Sequence, residues 1–406
     1  MEMENLNETS DERFHSLEEL NSSIAAKYQA NTVLVSILMS IGVLGNSIVI
    51  LTYHFRMKNR RDDRYFIPCL AVMNLLACIS ASVMFLALNS LPVMFTSTSV
   101  CKGLNFFTRA TCVESLTMLL IISMQRYKKI CTKGRNRFSL LWKRLAIVFS
   151  IIFCAIISFP TLVFYGVKVV KRSSHNNITE FHCEMVATNS HEQYGMYTYL
   201  AFVAIFFLGV VLSITVIYIL IGKRIHKNIQ PPQTKSMIAT SYDSLHYNSL
   251  LKHSKSDSQL PGKLHAVTDG SADNILQRFY ETNGVNVKRS QSETGKRKYN
   301  VSEVKKARSG LGIFVFRYYY MFVSISLVTF ISFIPPIIIM IIESIDAYVI
   351  GDITSDFGFH VVLLLRRSYI LSYSINPFMF GLFDTTFRKA LIDVFHQLRL
   401  PLCARN

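Results

Sequence analysis

The sequence predicts an all-α membrane fold, a seven-transmembrane helix bundle followed by a short amphipathic eighth helix. Three observations predict it. Half of the residues are hydrophobic and the mean hydropathy is +0.31, high for a water-soluble domain. Seven apolar stretches each reach the roughly 20 residues that a helix needs to cross hydrocarbon. Lys and Arg outnumber Asp and Glu by 43 to 26, and that excess is gathered in alternate gaps between the stretches.

The stretches run from Thr32 to Phe55, Tyr65 to Leu88, Phe106 to Ile130, Leu145 to Tyr165, Tyr197 to Ile221, Gly312 to Ile342 and Phe357 to Phe380. The first follows a polar segment rich in Glu and Asn, with no basic stretch and short apolar core before it, so it is expected to act as its own insertion signal. The chain thus divides into an extracellular N-terminal segment (1–31), a transmembrane domain (32–380), a long inner loop within it (223–311), and an amphipathic helix with a short tail (381–406).

Charge sets the orientation. Arg56, Lys58, Arg60, Arg61 and Arg64 lie between spans one and two, and Lys128, Lys129, Lys133 and Arg135 begin the gap between three and four. The gap between six and seven holds acids, Glu343, Asp346, Asp352 and Asp356. Basic loops stay in the cytoplasm, which puts the N-terminus outside, the C-terminus inside, and the chain in the plasma membrane. The sequons at Asn7, Asn21 and Asn177 fall on the outer side and are expected to be glycosylated, whereas Asn300 falls inside and should be silent. The basic residues do not form a stripe interleaved with aromatics, which excludes nucleic acid as a partner and leaves membrane lipid.

Cys69, Cys78, Cys112 and Cys154 sit within apolar spans, where a free thiol behaves as a small hydrophobe. No CxxC pair or Cys/His cluster points to a metal, and no cofactor is expected. Cys101 at the outer entrance of span three and Cys183 in the second outer loop face the oxidising side, where a bridge would pin the loop over the bundle. Cys403 is a candidate for palmitoylation. The stretch from Lys223 to Leu311 is rich in Ser, Lys, Asn and His and has too few apolar residues to offset its ordering entropy; Ser290 and Ser292 follow Lys288 and Arg289, a setting for basic-directed kinases.

Five motifs, each in its own span and in order, and the spacing of Cys101 from Arg126 then carry a resemblance. Gly45-Asn46-Ser47-Ile48-Val49-Ile50 resembles GNxxVI, Leu70 to Asn74 resembles LAxAD, and Gln125-Arg126-Tyr127 resembles D/E-R-Y at the expected distance from Cys101. Ser332-Phe333-Ile334-Pro335 resembles CWxP, and Asn376-Pro377-Phe378-Met379-Phe380 resembles NPxxY. The chain looks like a rhodopsin-like G-protein-coupled receptor. By that resemblance Arg126 and Tyr127 hold the closed state and meet a heterotrimeric G protein. Tyr218, Phe333, Pro335, Asn376, Pro377 and Phe380 belong to the switch, Asn46, Asn74, Ser115 and Ser372 to a polar core, and the third inner loop would meet kinases and arrestin. Phe387-Arg388, within an amphipathic repeat after span seven, resembles the start of the family's eighth helix. Pro335 and Pro377 each free a carbonyl that a neighbouring helix has to satisfy.

The sequence departs from the family at informative places. Asn74 replaces the acid of the sodium site, so sodium regulation is expected to be weak or absent; Glu114 is a buried acid beside it. Gln125 replaces the acid next to Arg126, and Arg308 and Arg317 stand at the inner end of span six, so raised basal signalling is expected. Phe333 and Phe380 replace the usual Trp and Tyr.

For the ligand, a retinal Schiff base is excluded, since Ile370 stands at the Lys position. Thr108 replaces the ammonium-binding acid of amine receptors. Arg109, Arg366 and Arg367 give the outer bundle cations that suit an anionic group. The long second outer loop and acidic outer segments resemble neuropeptide receptors, so a peptide ligand is expected, with a small organic or lipid ligand as the alternative. A transporter should show internal repeats or broken half-helices, and an enzyme a catalytic constellation; neither is evident, and the chain is read as a non-enzyme.

Overall fold

The computed structural model describes residues 2–57, 64–132, 139–172, 178–187, 189–229, 301–345 and 355–403. Its helices are α1 (Glu2–Arg56), α2 (Phe66–Ser90), α3 (Thr98–Cys131), α4 (Leu140–Ser158) and the single turn α5 (Thr161–Phe164). A hairpin follows, β1 (Tyr165–Arg172) and β2 (Ile178–Met185), and then α6 (Ser190–Ile229), α7 (Val301–Ile345), α8 (Asp356–Arg366), α9 (Ile370–Phe383) and α10 (Thr385–Cys403). Six of the helices among the described residues are long and apolar enough to cross a membrane, and α9 is a shorter apolar helix. The chain is a multi-pass membrane protein with the seven-helix arrangement its pattern predicts.

Local chemistry starts the helices. Ser97, Ser139 and Ser355 each stand before a first turn in extended backbone, and their hydroxyls accept the amide N–H of Val100, Trp142 and Gly358. What keeps the helices together is different. Phe149 (71% exposed), Ile205 (67%) and Ile331 (67%) would face water in a soluble protein, so these faces require lipid around them. Close packing inside is set by small residues. A Cβ on Gly45 would stand 2.9 Å from the Pro377 ring, and one on Gly42 would stand 2.8 Å from the Ser374 hydroxyl.

Three features differ from the sequence reading. The polar N-terminal segment is not separate from span one: α1 runs through both. Leu17 of this extension packs with Val93 and Ile178, against Leu20, Ile24, Met94 and Phe181. Second, α6 continues to Ile229 and α7 starts at Val301, so both ends of the expected loop 223–311 are helical; residues 230–300 lie outside the described residues. Third, span seven is two helices. Between α8 and α9 the bonds from Arg367 N–H to the Leu364 carbonyl and from Ser368 N–H to that of Leu365 are of the i→i−3 type, as is that from Ile370 to Arg367. Apolar periodicity carries no signal for such a break, because all of its residues lie in one hydrophobic run.

The described residues form two compact units, Met1–Ile221 with Met321–Asn406, and Gly222–Tyr320. In the second, a Cβ on Gly222 would stand 2.8 Å from the Tyr319 hydroxyl, and Phe316 stacks on Tyr320. All features described below belong to the first unit.

The glycine contacts make a paired prediction. Gly45→Val forces a methyl-bearing Cβ onto a rigid ring and is expected to destabilise the folded protein by about 1–3 kcal/mol. Gly209 has nothing within 4 Å of a built Cβ, so Gly209→Ala should be neutral or stabilising by up to about 1 kcal/mol. Thermal unfolding of the two purified variants in detergent measures the difference.

Candidate functional site

The outer end is organised by the Cys101–Cys183 disulfide, whose Cα atoms are 5.7 Å apart. It ties the start of α3 to β2, and the Asn105 amide donates to the Cys101 carbonyl at 2.9 Å. The first outer loop adds to the same hairpin, with Phe181 N–H donating to the Val93 carbonyl and Phe95 N–H to that of Phe181. Asn21 of α1 closes this layer. Its amide donates to the Ser90 carbonyl at 3.0 Å, and its side-chain oxygen accepts the N–H of Val93 at 3.3 Å. Asn21 is 8% exposed. Asn7 lies in α1, and Asn177 lies outside the described residues.

Beneath the hairpin is a ladder of aromatic rings. Phe207 of α6 stacks on Phe333 of α7 with centroids 5.8 Å apart. Phe333 meets Tyr369 in the break of span seven at 5.9 Å, and Tyr369 meets Phe85 of α2 at 6.2 Å and Tyr373 of α9 at 6.0 Å. The Tyr373 hydroxyl is 2.7 Å from the Cys112 sulfur of α3. Phe333 therefore holds the centre of a ring stack that joins α2, α6, α7 and α9. The half-buried Arg109 of α3 interacts electrostatically with Tyr165, Tyr199, Cys112 and Tyr369.

The four residues that the sequence assigns to a ligand pocket do not converge. Thr108 donates back to the Ser80 carbonyl of α2 at 3.4 Å, and Arg366 is exposed at the end of α8. Arg367 turns away from Arg109 and donates to the Asn89 side-chain oxygen at 2.6 Å and to that of Asn31 at 3.4 Å.

Deeper in the bundle the prolines and the polar core meet. Pro377 has no N–H for the Tyr373 carbonyl, and the Asn46 amide of α1 donates to that oxygen at 3.0 Å. Pro336 likewise frees the Ser332 carbonyl, and the Ser368 hydroxyl donates to it at 2.7 Å. Pro336 and Ser368 are the functional residues that sequence reasoning missed: the Pro-Pro pair was visible, but its partner lies across the fold. Ser115 donates to the Asn74 oxygen at 3.0 Å, while Ser372 turns back onto the Tyr369 carbonyl. Asn376 is buried in the same core. Glu114 accepts from Ser150 of α4 at 2.9 Å, on the α4 side, where it does not join the Asn74 pair.

At the inner end Arg126 is buried and its guanidinium lies 4.7 Å from the centroid of the Phe322 ring of α7. Tyr127 is half-buried and Tyr218 buried. Phe380 is buried against Phe387 of α10, which also stacks on Tyr53 of α1. Cys403 is the last residue of α10. A buried ion pair, not foreseen from sequence, locks this corner: Arg64 reaches Asp384 at 3.1 Å, with the two side chains 6% and 1% exposed. The same Asp384 oxygen accepts the N–H of Thr386 and Phe387, capping α10. Burial pushes the Asp384 carboxyl above its ordinary value, and Arg64 pulls it back down.

This pair should behave as a coupled unit. Arg64→Gln leaves a buried carboxylate without its cation and is expected to destabilise by about 3–5 kcal/mol. Adding Asp384→Asn should recover most of that loss. A double-mutant cycle of thermal unfolding reads the coupling.

Comparison with known proteins adds an independent line. A family model described as "7 transmembrane receptor (rhodopsin family)" matches residues 45–380. The cholecystokinin receptor type A of Homo sapiens is 26% identical over 200 residues, 48% of this chain and 46% of that receptor. The Canis lupus familiaris protein of the same name is 26% identical over 202 residues, 48% and 46% of the two chains. The cholecystokinin receptor of Xenopus laevis is 23% identical over 203 residues, 49% and 43%. The matched stretch spans a little under half the length of these curated relatives.

Proposed function

This chain belongs to the rhodopsin family of seven-transmembrane receptors, signalling proteins rather than enzymes, and from that premise we propose that it converts binding of an extracellular peptide into activation of a heterotrimeric G protein. The observation that carries the proposal is the pairing of α3 with α7 at the inner end through Arg126 and Phe322. A buried cation within a membrane span marks a functional position, and this one rests on a helix that carries two prolines.

The peptide reading is supported by the relatives, which are named as cholecystokinin receptors, and by the hairpin-lined outer layer. Arg109, among three tyrosines, suits an acidic group of such a ligand. In this reading the hairpin and the N-terminal segment face outward and α10 lies at the cytoplasmic interface of the plasma membrane. Asn7 and Asn177 carry glycans, Cys403 carries palmitate, and residues 230–300 present sites to kinases and arrestin. The test is a peptide-library screen in cells with a promiscuous G-protein reporter. A response that Arg126→Ala abolishes with surface expression intact is the expected result; an unchanged response overturns the switch assignment.

Two further outcomes are expected. A cation–π contact of about 0.5–2 kcal/mol biases a two-state equilibrium by roughly twofold to thirtyfold. Phe322→Ala should therefore raise agonist-independent output in that range and Phe322→Tyr should not, as second-messenger assays at matched expression will read. With Asn74 in the polar core, replacing sodium by choline in a binding assay should leave agonist affinity unchanged.

A further inference from the structure

A cavity of about 430 Å³ opens between α1 and α2. Apart from Ser36, Ser40 and Ser82, of which Ser40 and Ser82 bond carbonyls of their own helices, its walls grade from polar to apolar. Thr32 and Asn89 stand at one end, and the lining then runs through Val35, Met39 and Leu86 to Leu44. Leu86 and Leu44 are also among the exposed apolar residues, so the cavity is open to the lipid side. From Thr32 to Leu44 the α1 wall measures roughly 18 Å at about 1.5 Å per residue, close to half of a hydrocarbon core of about 30 Å. With the orientation proposed above, its polar end lies at the outer interface and its apolar end near the bilayer middle.

The polar end is charged from behind. Arg367 is 6% exposed, and every partner it has among the described residues is neutral: the side-chain oxygens of Asn89 and Asn31, and the Phe85 ring 4.5 Å from its guanidinium. Among the described residues no carboxylate bonds it. Buried charges are ordinarily paired, because an unpaired one is costly to remove from water. Asn89 and Phe85 line the cavity and touch Arg367 at once. On its other side the Asn89 amide donates to the Thr32 hydroxyl at 2.6 Å.

We propose that this cavity is a lateral site for a long-chain fatty acid taken from the outer leaflet. The acyl chain lies along Val35, Met39 and Leu86. The carboxylate accepts from the second N–H of the Asn89 amide, while Arg367, across Asn89, supplies the opposing charge. A single chain is favoured because the volume is near the low end of the roughly 300–1,000 Å³ of ligand sites. A carboxylate is favoured because the guanidinium charge behind Asn89 has no carboxylate partner among the described residues. The site goes beyond the signalling role proposed above and does not depend on the ligand being a peptide.

The experiment uses the full chain in nanodiscs and a diazirine analogue of palmitic acid, with crosslinks mapped by mass spectrometry. Labelling is expected to saturate, to map to residues 32–44 and 82–89, and to be displaced by palmitate but not by hexadecanol. Leu86→Trp, which fills the cavity from a lipid-facing position, and Arg367→Gln, which removes the charge behind Asn89 but keeps amide donors, should each weaken binding by about tenfold or more. Thermal unfolding checks that Arg367→Gln is folded; if it is not, Leu86→Trp together with the palmitate–hexadecanol comparison decides. Labelling that does not saturate, or that hexadecanol displaces equally well, means annular lipid and overturns the proposal. Unchanged binding by folded Arg367→Gln also overturns it. Displacement by lysophosphatidate but not by palmitate overturns the fatty-acid assignment.

Discussion

In hydrocarbon no water replaces a missing backbone hydrogen bond, and every proline in a span therefore needs a donor from elsewhere. Two such donors organise this protein. The Asn46 amide satisfies the carbonyl freed by Pro377, and the Ser368 hydroxyl satisfies the one freed by Pro336. Each bond joins two helices at the point where one of them has lost an internal tie. Gly45 lets α1 come against the Pro377 ring closely enough for the Asn46 bond to form. Ser368 reaches Ser332 from within the i→i−3 turn that divides span seven. The break and the proline bonds are thus parts of one solution, and the aromatic stack through Phe333 and Tyr369 packs around it.

Among the described residues, two arginines in the outer half of the bundle have no carboxylate bonded to them. Arg109 stands among tyrosines and Arg367 among amides and an aromatic face. Neutral oxygens satisfy the geometry of a guanidinium but leave its charge uncompensated in a medium of low dielectric constant. Such an arrangement is poised for an anion, and the two arginines are separated by the break in span seven. They therefore address different anions, one approaching through the outer loops and one through the lipid.

At the inner end the chain replaces the family's polar groups with rings. Phe380 stands where the resemblance leads one to expect a tyrosine, and it is buried against Phe387 rather than offering a hydroxyl. Arg126 rests on Phe322. The remaining buried pair of opposite charges, Arg64 with Asp384, ties the start of α2 to the junction of α9 and α10 and caps α10 at the same time. Rings hold by area and shape, and an ion pair holds by charge. The corner uses both to fix the amphipathic helix against α1.

The sequence by itself determined the fold class, the membrane spans, the disulfide and the family, because each rests on a local or periodic signal. These signals are a run of about 20 apolar residues, two cysteines on one side of the membrane, and motifs of fixed internal spacing. Arg126 and Asn46, which the motifs single out, are both buried. Only the tertiary structure decided which residues meet. Thr108, Arg366 and Arg367 share a height along the sequence with Arg109, yet Thr108 bonds Ser80, Arg367 bonds Asn89 and Asn31, and Arg366 is exposed. Asn21 carries a sequon, and its side chain bonds backbone groups 69 and 72 positions away. Ser368, Asp384 and Arg64 gave no local signal, since each acts through a partner distant in the chain. Hydrogen bonds and ion pairs are set by the last few ångströms of placement, and a one-dimensional pattern does not contain those distances.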